Sequence, residues 1–221
     1  MYLTNFSIAN IAGKLQDVND NLAKAFDQRE SHRREETARA WTKDQRRCHQ
    51  AFKTSTYEQH KNINPNRVEG TCEWALKSPE YQHWWASSCN DLLWISADPG
   101  CGKSVLAKSF VDDVLNTSAP TVSVCYFFFK DNDEQNNLAT ALCAILHQLF
   151  GIQPQLLRHA LPSWEKNKDK IQQEVDELWR ILMAATSDPS SPCTICVFDA
   201  MDECRSNDQR QLIQKLKHFY T

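Results

Sequence analysis

Hydrophobic positions divide this chain into two regimes. Over the first fifty residues they are sparse. Ile8, Ile11, Leu15, Val18, Leu22 and Ala25 alternate three and four apart, then give way to a mixed-charge run from Asp27 to Arg47. With no proline and no glycine after Gly13, residues 1–50 are expected to form a helical arm with a short a/d seam. Farther along, short apolar runs alternate with helical stripes. Leu92–Ser96, Thr121–Phe129 and Thr194–Asp199 read as strands. The last is apolar on both alternating faces, as in a parallel strand covered by helices on each side. Val105, Leu106, Phe110, Val111, Val114 and Leu115 mark a helix after the first run. Leu138, Leu142, Ile145 and Leu149 mark another that should cover the sheet, and residues 209–220 a third. Strands alternating with helices predict an α/β domain. Asn62-Ile63-Asn64-Pro65-Asn66 is rich in turn formers, so 51–66 reads as a linker and 67–221 as the domain.

The turn between the first apolar run and its helix is Ala97-Asp98-Pro99-Gly100-Cys101-Gly102-Lys103-Ser104, followed by Val105. Glycine-rich turns between strand and helix that end Gly-Lys-Ser cradle phosphates. Gly100 and Gly102 open backbone conformations closed to residues with a Cβ, so that successive N–H groups converge at the positive end of a helix. Lys103 would reach the β- and γ-phosphates, and Ser104 would offer its hydroxyl to Mg²⁺. Ala97 stands where the usual pattern has glycine. The bland alternative is a glycine-bearing turn that merely precedes a lysine.

A phosphate loop calls for an apolar strand that delivers a carboxylate to the metal. Thr194-Ile195-Cys196-Val197-Phe198 ends in Asp199, at the edge where open α/β sheets bind ligands, and Asp199 is the candidate Mg²⁺ ligand. Asp202 and Glu203 follow, and either could position or deprotonate an attacking water. Asp131 and Asp133, beyond the strand ending at Phe129, read as a polar loop on the same edge. The strand inserted between loop and acidic run suits ATPases better than small GTPases. No guanine-reading N-K-x-D box follows the acidic strand, so ATP or dATP is favoured over GTP.

W-I-S-A-D-P-G-C-G-K-S (94–104), C-Y-F-F-F-K-D (125–131), V-F-D-A-M-D-E-C (197–204) and R-V-E-G-T-C-E-W (67–74) together resemble the fungal NACHT-type signal-transduction (STAND) NTPases. The likeness is to the nephrocystin-like N-terminal domain and the heterokaryon-incompatibility proteins, and it spans about residues 48 to 221. It implies a three-layer P-loop NTPase with a parallel sheet, Walker A over 97–105 and Walker B ending at Asp199, preceded by the helical segment. It also implies an ATP/ADP switch with Mg²⁺ that oligomerises in innate-immunity-like signalling, with catalysis resting on Lys103 and on Asp202 or Glu203. In such proteins the segment matching Arg67–Thr71 closes over the adenine. The strand that follows the acidic one inserts between it and the phosphate-loop strand. Thr221 comes before such a strand, so the sheet is expected to be incomplete and the sequence to be a gene fragment or partial gene model. A nucleotide-binding scaffold without turnover is the alternative function.

Composition adds constraints. The 221 residues carry nine cysteines without a paired framework and a net charge of −3, positive over 1–70 and negative beyond. Cys125, Cys143 and Cys196 fall in apolar runs, as thiols do in a reducing cytoplasm. Cys193 and Cys196 would point to opposite faces of a strand, which argues against zinc. No apolar run is long enough to span a bilayer. The charge argues against a general nucleic-acid binder, and the arginines of the arm are interleaved with acids, as on a solvated helix face. Partners are therefore nucleotide and protein, the latter through the arm. Tyr81, Trp84 and Trp85 are expected in the core, and His147 on the surface or at a cap.

Overall fold

The computed structural model describes residues 41–87, 91–114, 122–191 and 193–220. The expected seam from Ile8 to Ala25 lies outside the described residues. From Thr42 onward the chain forms one compact unit.

Its centre is the helix α6, Leu138–Ile152, buried on nearly every side through Leu138, Ala141, Leu142, Ile145, Leu146, Leu149 and Phe150. Two side chains satisfy its first orphan N–H groups. Asn137 Oδ1 accepts from Thr140 N–H at 2.8 Å, and Asp208 accepts from Leu138 N–H at 3.0 Å. Against α6 lies β1, Val122–Phe128, with buried and half-buried positions alternating along it. It pairs in parallel with β2, Cys193–Asp199, in a register that sets Phe128 opposite Asp199. A parallel pair needs a long crossover. Here it comprises α6, a 3₁₀ turn at Pro154–His159, α7 (Leu161–Asn167), a second 3₁₀ turn at Lys168–Gln173, and α8 (Val175–Thr186). After β2, a 3₁₀ turn at Met201–Glu203 leads into α9, Ser206–Tyr220.

Before β1 the chain runs through α1 (Lys43–Ala51), α2 (Tyr57–Asn62), α3 (Glu73–Lys77), α4 (Pro79–Ala86) and α5 (Lys103–Ser109). Thr42 and Gln45 form a reciprocal capping box at the start of α1. Helix α2 falls within the stretch expected as a linker and packs on β1. Helix α5 widens into a π turn over Phe110–Val114, where Phe110 stacks on Tyr81 with centroids 5.6 Å apart.

Four expectations need correction. Leu92–Ser96 forms no strand: Leu92, Trp94 and Ile95 are 46%, 59% and 40% exposed. A strand is held by its neighbours' N–H and C=O groups. Among the described residues β2 pairs with β1 alone, so nothing offers 92–96 a ladder. The sheet therefore has two strands among the described residues, and β2 is half-buried along its middle instead of covered on both faces. Trp85 is exposed rather than core, although Tyr81 is buried and Trp84 partly so. His147 is half-buried in the middle of α6 and caps no helix. Its ring stacks on His49 at 4.3 Å and its Nδ1 pairs with the Tyr57 hydroxyl at 2.8 Å, joining α6 to α1 and α2. Among the described residues, no helix is long and apolar enough to cross a membrane.

Candidate functional site

The segment 97–102 is an exposed turn closed by Cys101 N–H donating to Asp98 O at 3.3 Å. Gly100 and Gly102 sit at φ +82° and +80°, in the left-handed region. A Cβ would meet nothing within 4 Å at either, so the demand for glycine there is conformational rather than steric. Gly102 accepts the first helical bond of α5, from Leu106 N–H at 2.9 Å. The Lys103 ammonium folds back over the turn and donates to Ala97 O at 2.8 Å and Asp98 O at 3.2 Å. Pro99 and Cys101 are exposed at the tip, and Ser104 and Val105 are half-buried in the first turn of α5.

Asp199 ends β2, 8% exposed, and its carbonyl accepts from Phe129 N–H at 3.0 Å. The next residue, Ala200, turns the chain sharply at φ +54°. The Ser104 hydroxyl is close enough to the Asp199 carboxylate to favour its charged form. Burial raises the carboxyl above its usual range, against the Ser104 hydroxyl, the Ala200 N–H and the Lys130 ammonium, which favour the charged form. The fold thus brings together the hydroxyl and the carboxylate that the two motifs singled out, from segments 95 positions apart in the sequence.

Glu203 is near enough to Asp199 for its charge to add to that rise. Its Oε2 accepts from the backbone N–H of Asp131 at 2.9 Å, and its Oε1 is 3.8 Å from the Lys130 ammonium. Asp202 is exposed. Asp131, Asn136 and residues 202–206 line a cleft of about 310 Å³. Asp133 points outward and pairs with Arg205 at 3.2 Å. The polar loop 130–136 is built on Asn132, whose Oδ1 accepts from the N–H groups of Glu134 and Gln135.

A second, larger cleft of about 480 Å³ is lined by Asn66, Arg67, Glu69, Lys108, Ser109 and Asp112. Along one wall Asp112 bridges Lys61 and Lys108, and Lys108 also donates to Asn66. The adjoining turn holds its shape through Thr71 N–H donating to Val68 O at 3.0 Å and Arg67 donating to Thr71 O at 3.3 Å.

The Ser104–Asp199 pair offers only hard oxygen donors, which suits Mg²⁺ and does not suit zinc. Among the described residues no cluster of three or more His, Cys, Asp or Glu could hold a metal ion, so a cation would need phosphate or water to complete its shell. Cys193 is exposed and Cys196 half-buried. Two features escaped sequence reading. Lys130 approaches Glu203 and its charge is felt at Asp199, and its place directly after an apolar strand on the ligand edge was the available signal. Gln135 is fully buried with both amide atoms unpartnered, and no pattern in the sequence marks it.

Comparison with known proteins agrees with the motifs. The family described as Nephrocystin 3, N-terminal matches residues 70–221. The vegetative incompatibility protein HET-E-1 of Podospora anserina is 32% identical over 146 residues, 64% of this chain. That match spans only 10% of the relative's own length. No solved structure matches the chain.

Proposed function

The chain belongs to the nephrocystin 3 N-terminal family, a relative of the HET-E-like NACHT proteins, and from that premise we propose that it binds ATP with Mg²⁺ as a signalling nucleotide switch. The observation that carries the reading is the Ser104 hydroxyl set close to the Asp199 carboxylate, whose charged form it favours, beside a turn whose glycines are left-handed and whose lysine caps the loop carbonyls. On this reading Lys103 exchanges Ala97 and Asp98 for the β- and γ-phosphates, and the N–H groups from Gly100 to Ser104 surround the β-phosphate. Ser104 and Asp199 hold Mg²⁺, which neutralises phosphate charge when bound. Glu203 or Asp202 orients the attacking water. The cleft beside Arg67 and Glu69 takes the base and sugar, and the switch works in the cytoplasm with protein partners or copies of itself. Hydrolysis is favoured over a non-hydrolysing scaffold because Glu203 is held by two groups beside Asp199. Chromatography of the nucleotide released from purified protein by acid tests this. Adenine nucleotide at near-stoichiometric amount is expected. Guanine nucleotide, or none from protein that binds none on addition, would oppose it.

A further inference from the structure

Glu203 reaches the edge of the sheet from a three-residue turn, which by itself fixes a glutamate side chain poorly. Its two carboxylate oxygens are nevertheless both addressed from the end of β1. One accepts the Asp131 N–H at 2.9 Å, and the other faces the Lys130 ammonium at 3.8 Å. Residues 130 and 131 are anchored for this task. Phe129 N–H donates to Asp199 O, Lys130 N–H donates to Gln135 O at 3.2 Å, and the β1–β2 register aligns the two strand ends. Among the described residues Glu203 is the one ion-pair partner of Lys130.

We propose that Lys130 is a positioning residue for hydrolysis: its ammonium and the neighbouring Asp131 N–H clamp Glu203, so that one carboxylate oxygen can turn toward a water without the other losing its anchor. This rests on the nucleotide-switch reading and names which of the two acids acts. Asp202 is exposed and unclamped among the described residues, whereas Glu203 is aimed from both oxygens. The guanidinium of Arg205 is engaged by Asp133, which leaves Lys130 as the cation for Glu203. A side chain oriented through a second residue loses rate without losing ligand affinity when that residue is removed.

The test measures Mg-ATP affinity and steady-state phosphate release for the full chain and for K130Q, K130R, E203Q, D202N and K130Q/E203Q. Expected are a kcat lower by on the order of tenfold or more in K130Q with unchanged affinity, and recovery of most of that loss in K130R. The double variant should be no slower than E203Q, and D202N should lose less rate than E203Q. Weakened ATP binding in K130Q would overturn the proposal, because it would make Lys130 a phosphate ligand. Independent, multiplying losses in the double variant would overturn it too, as would a parent that binds ATP without turning it over. K103A separates the two readings: undiminished ATP binding there defeats the nucleotide site itself, whatever Lys130 does.

Discussion

The Ser104 hydroxyl, in the first turn of α5, lies near enough to the Asp199 carboxylate at the end of β2 to favour its charged form. A cation between them would draw on oxygen lone pairs of both groups and favour the ionised carboxylate. With D199N the hydroxyl can still be satisfied but the charge is gone. D199N should therefore bind ATP equally with and without Mg²⁺, whereas the parent should bind more tightly with it. The sign of the unliganded effect is opposite. Burial raises the Asp199 carboxyl, so the folded state holds its proton more firmly than the unfolded chain and the ionised group detracts from stability at neutral pH. D199N should raise the melting temperature of the unliganded protein at pH 7, measured by circular dichroism.

Gly102 sits at φ +80° with open space where a Cβ would go. G102A should thus cost about 1 kcal/mol of backbone strain with no steric clash. Because that strain is relieved by rotating the N–H groups next to it, nucleotide affinity should fall further than stability does. Urea denaturation and ATP titration on the same sample read the two effects.

His147 is pushed down to about 4, first by burial and then by His49 and Lys53, with Glu58 opposing. His49 is lowered as well, again chiefly by burial. A depressed histidine means that the unfolded chain takes up protons the native one refuses. Stability should be intact above about pH 6.5, decline as the pH falls toward 4, and level off below, so far as these two groups decide it. The opening should begin where α1 meets α6. H147Q should flatten the slope of urea midpoint against pH across that window.

Asp188 lies in the turn after α8 and gathers Arg158, His159 and both the N–H and hydroxyl of Ser190. These partners hold its carboxyl well below the usual range, the Ser190 hydroxyl foremost. D188N removes the charge while leaving the partners in place. A lower urea midpoint is expected, with ATP binding unaffected.

Much of the architecture was legible because burial leaves a period in the sequence. The run Thr121–Phe129 became β1, Thr194–Asp199 became β2, and Leu138, Leu142, Ile145 and Leu149 all lie buried in α6. Periodicity, however, records which residues are apolar and not which neighbour will pair with them. Leu92–Ser96 has the content of a buried strand and no ladder among the described residues. His147 interrupts an apolar stripe by one polar atom pair, and its partners His49 and Tyr57 lie some 90 or more positions away, beyond any local signal. In the candidate site, motif order singled out Ser104 and Asp199, while their nearness is a product of how α5 meets β2. The hold on Glu203 was hidden, since half of it is a backbone N–H that no sequence displays.

The central claim is that the turn from Ala97 to Ser104 grips a polyphosphate through Lys103. Its most direct test is titration of Mg-ATP into the parent and into K103A, with circular dichroism confirming equal helix content. Saturable one-to-one binding by the parent and its loss in K103A are predicted. Equal binding by both, or none by a folded parent, would contradict the account.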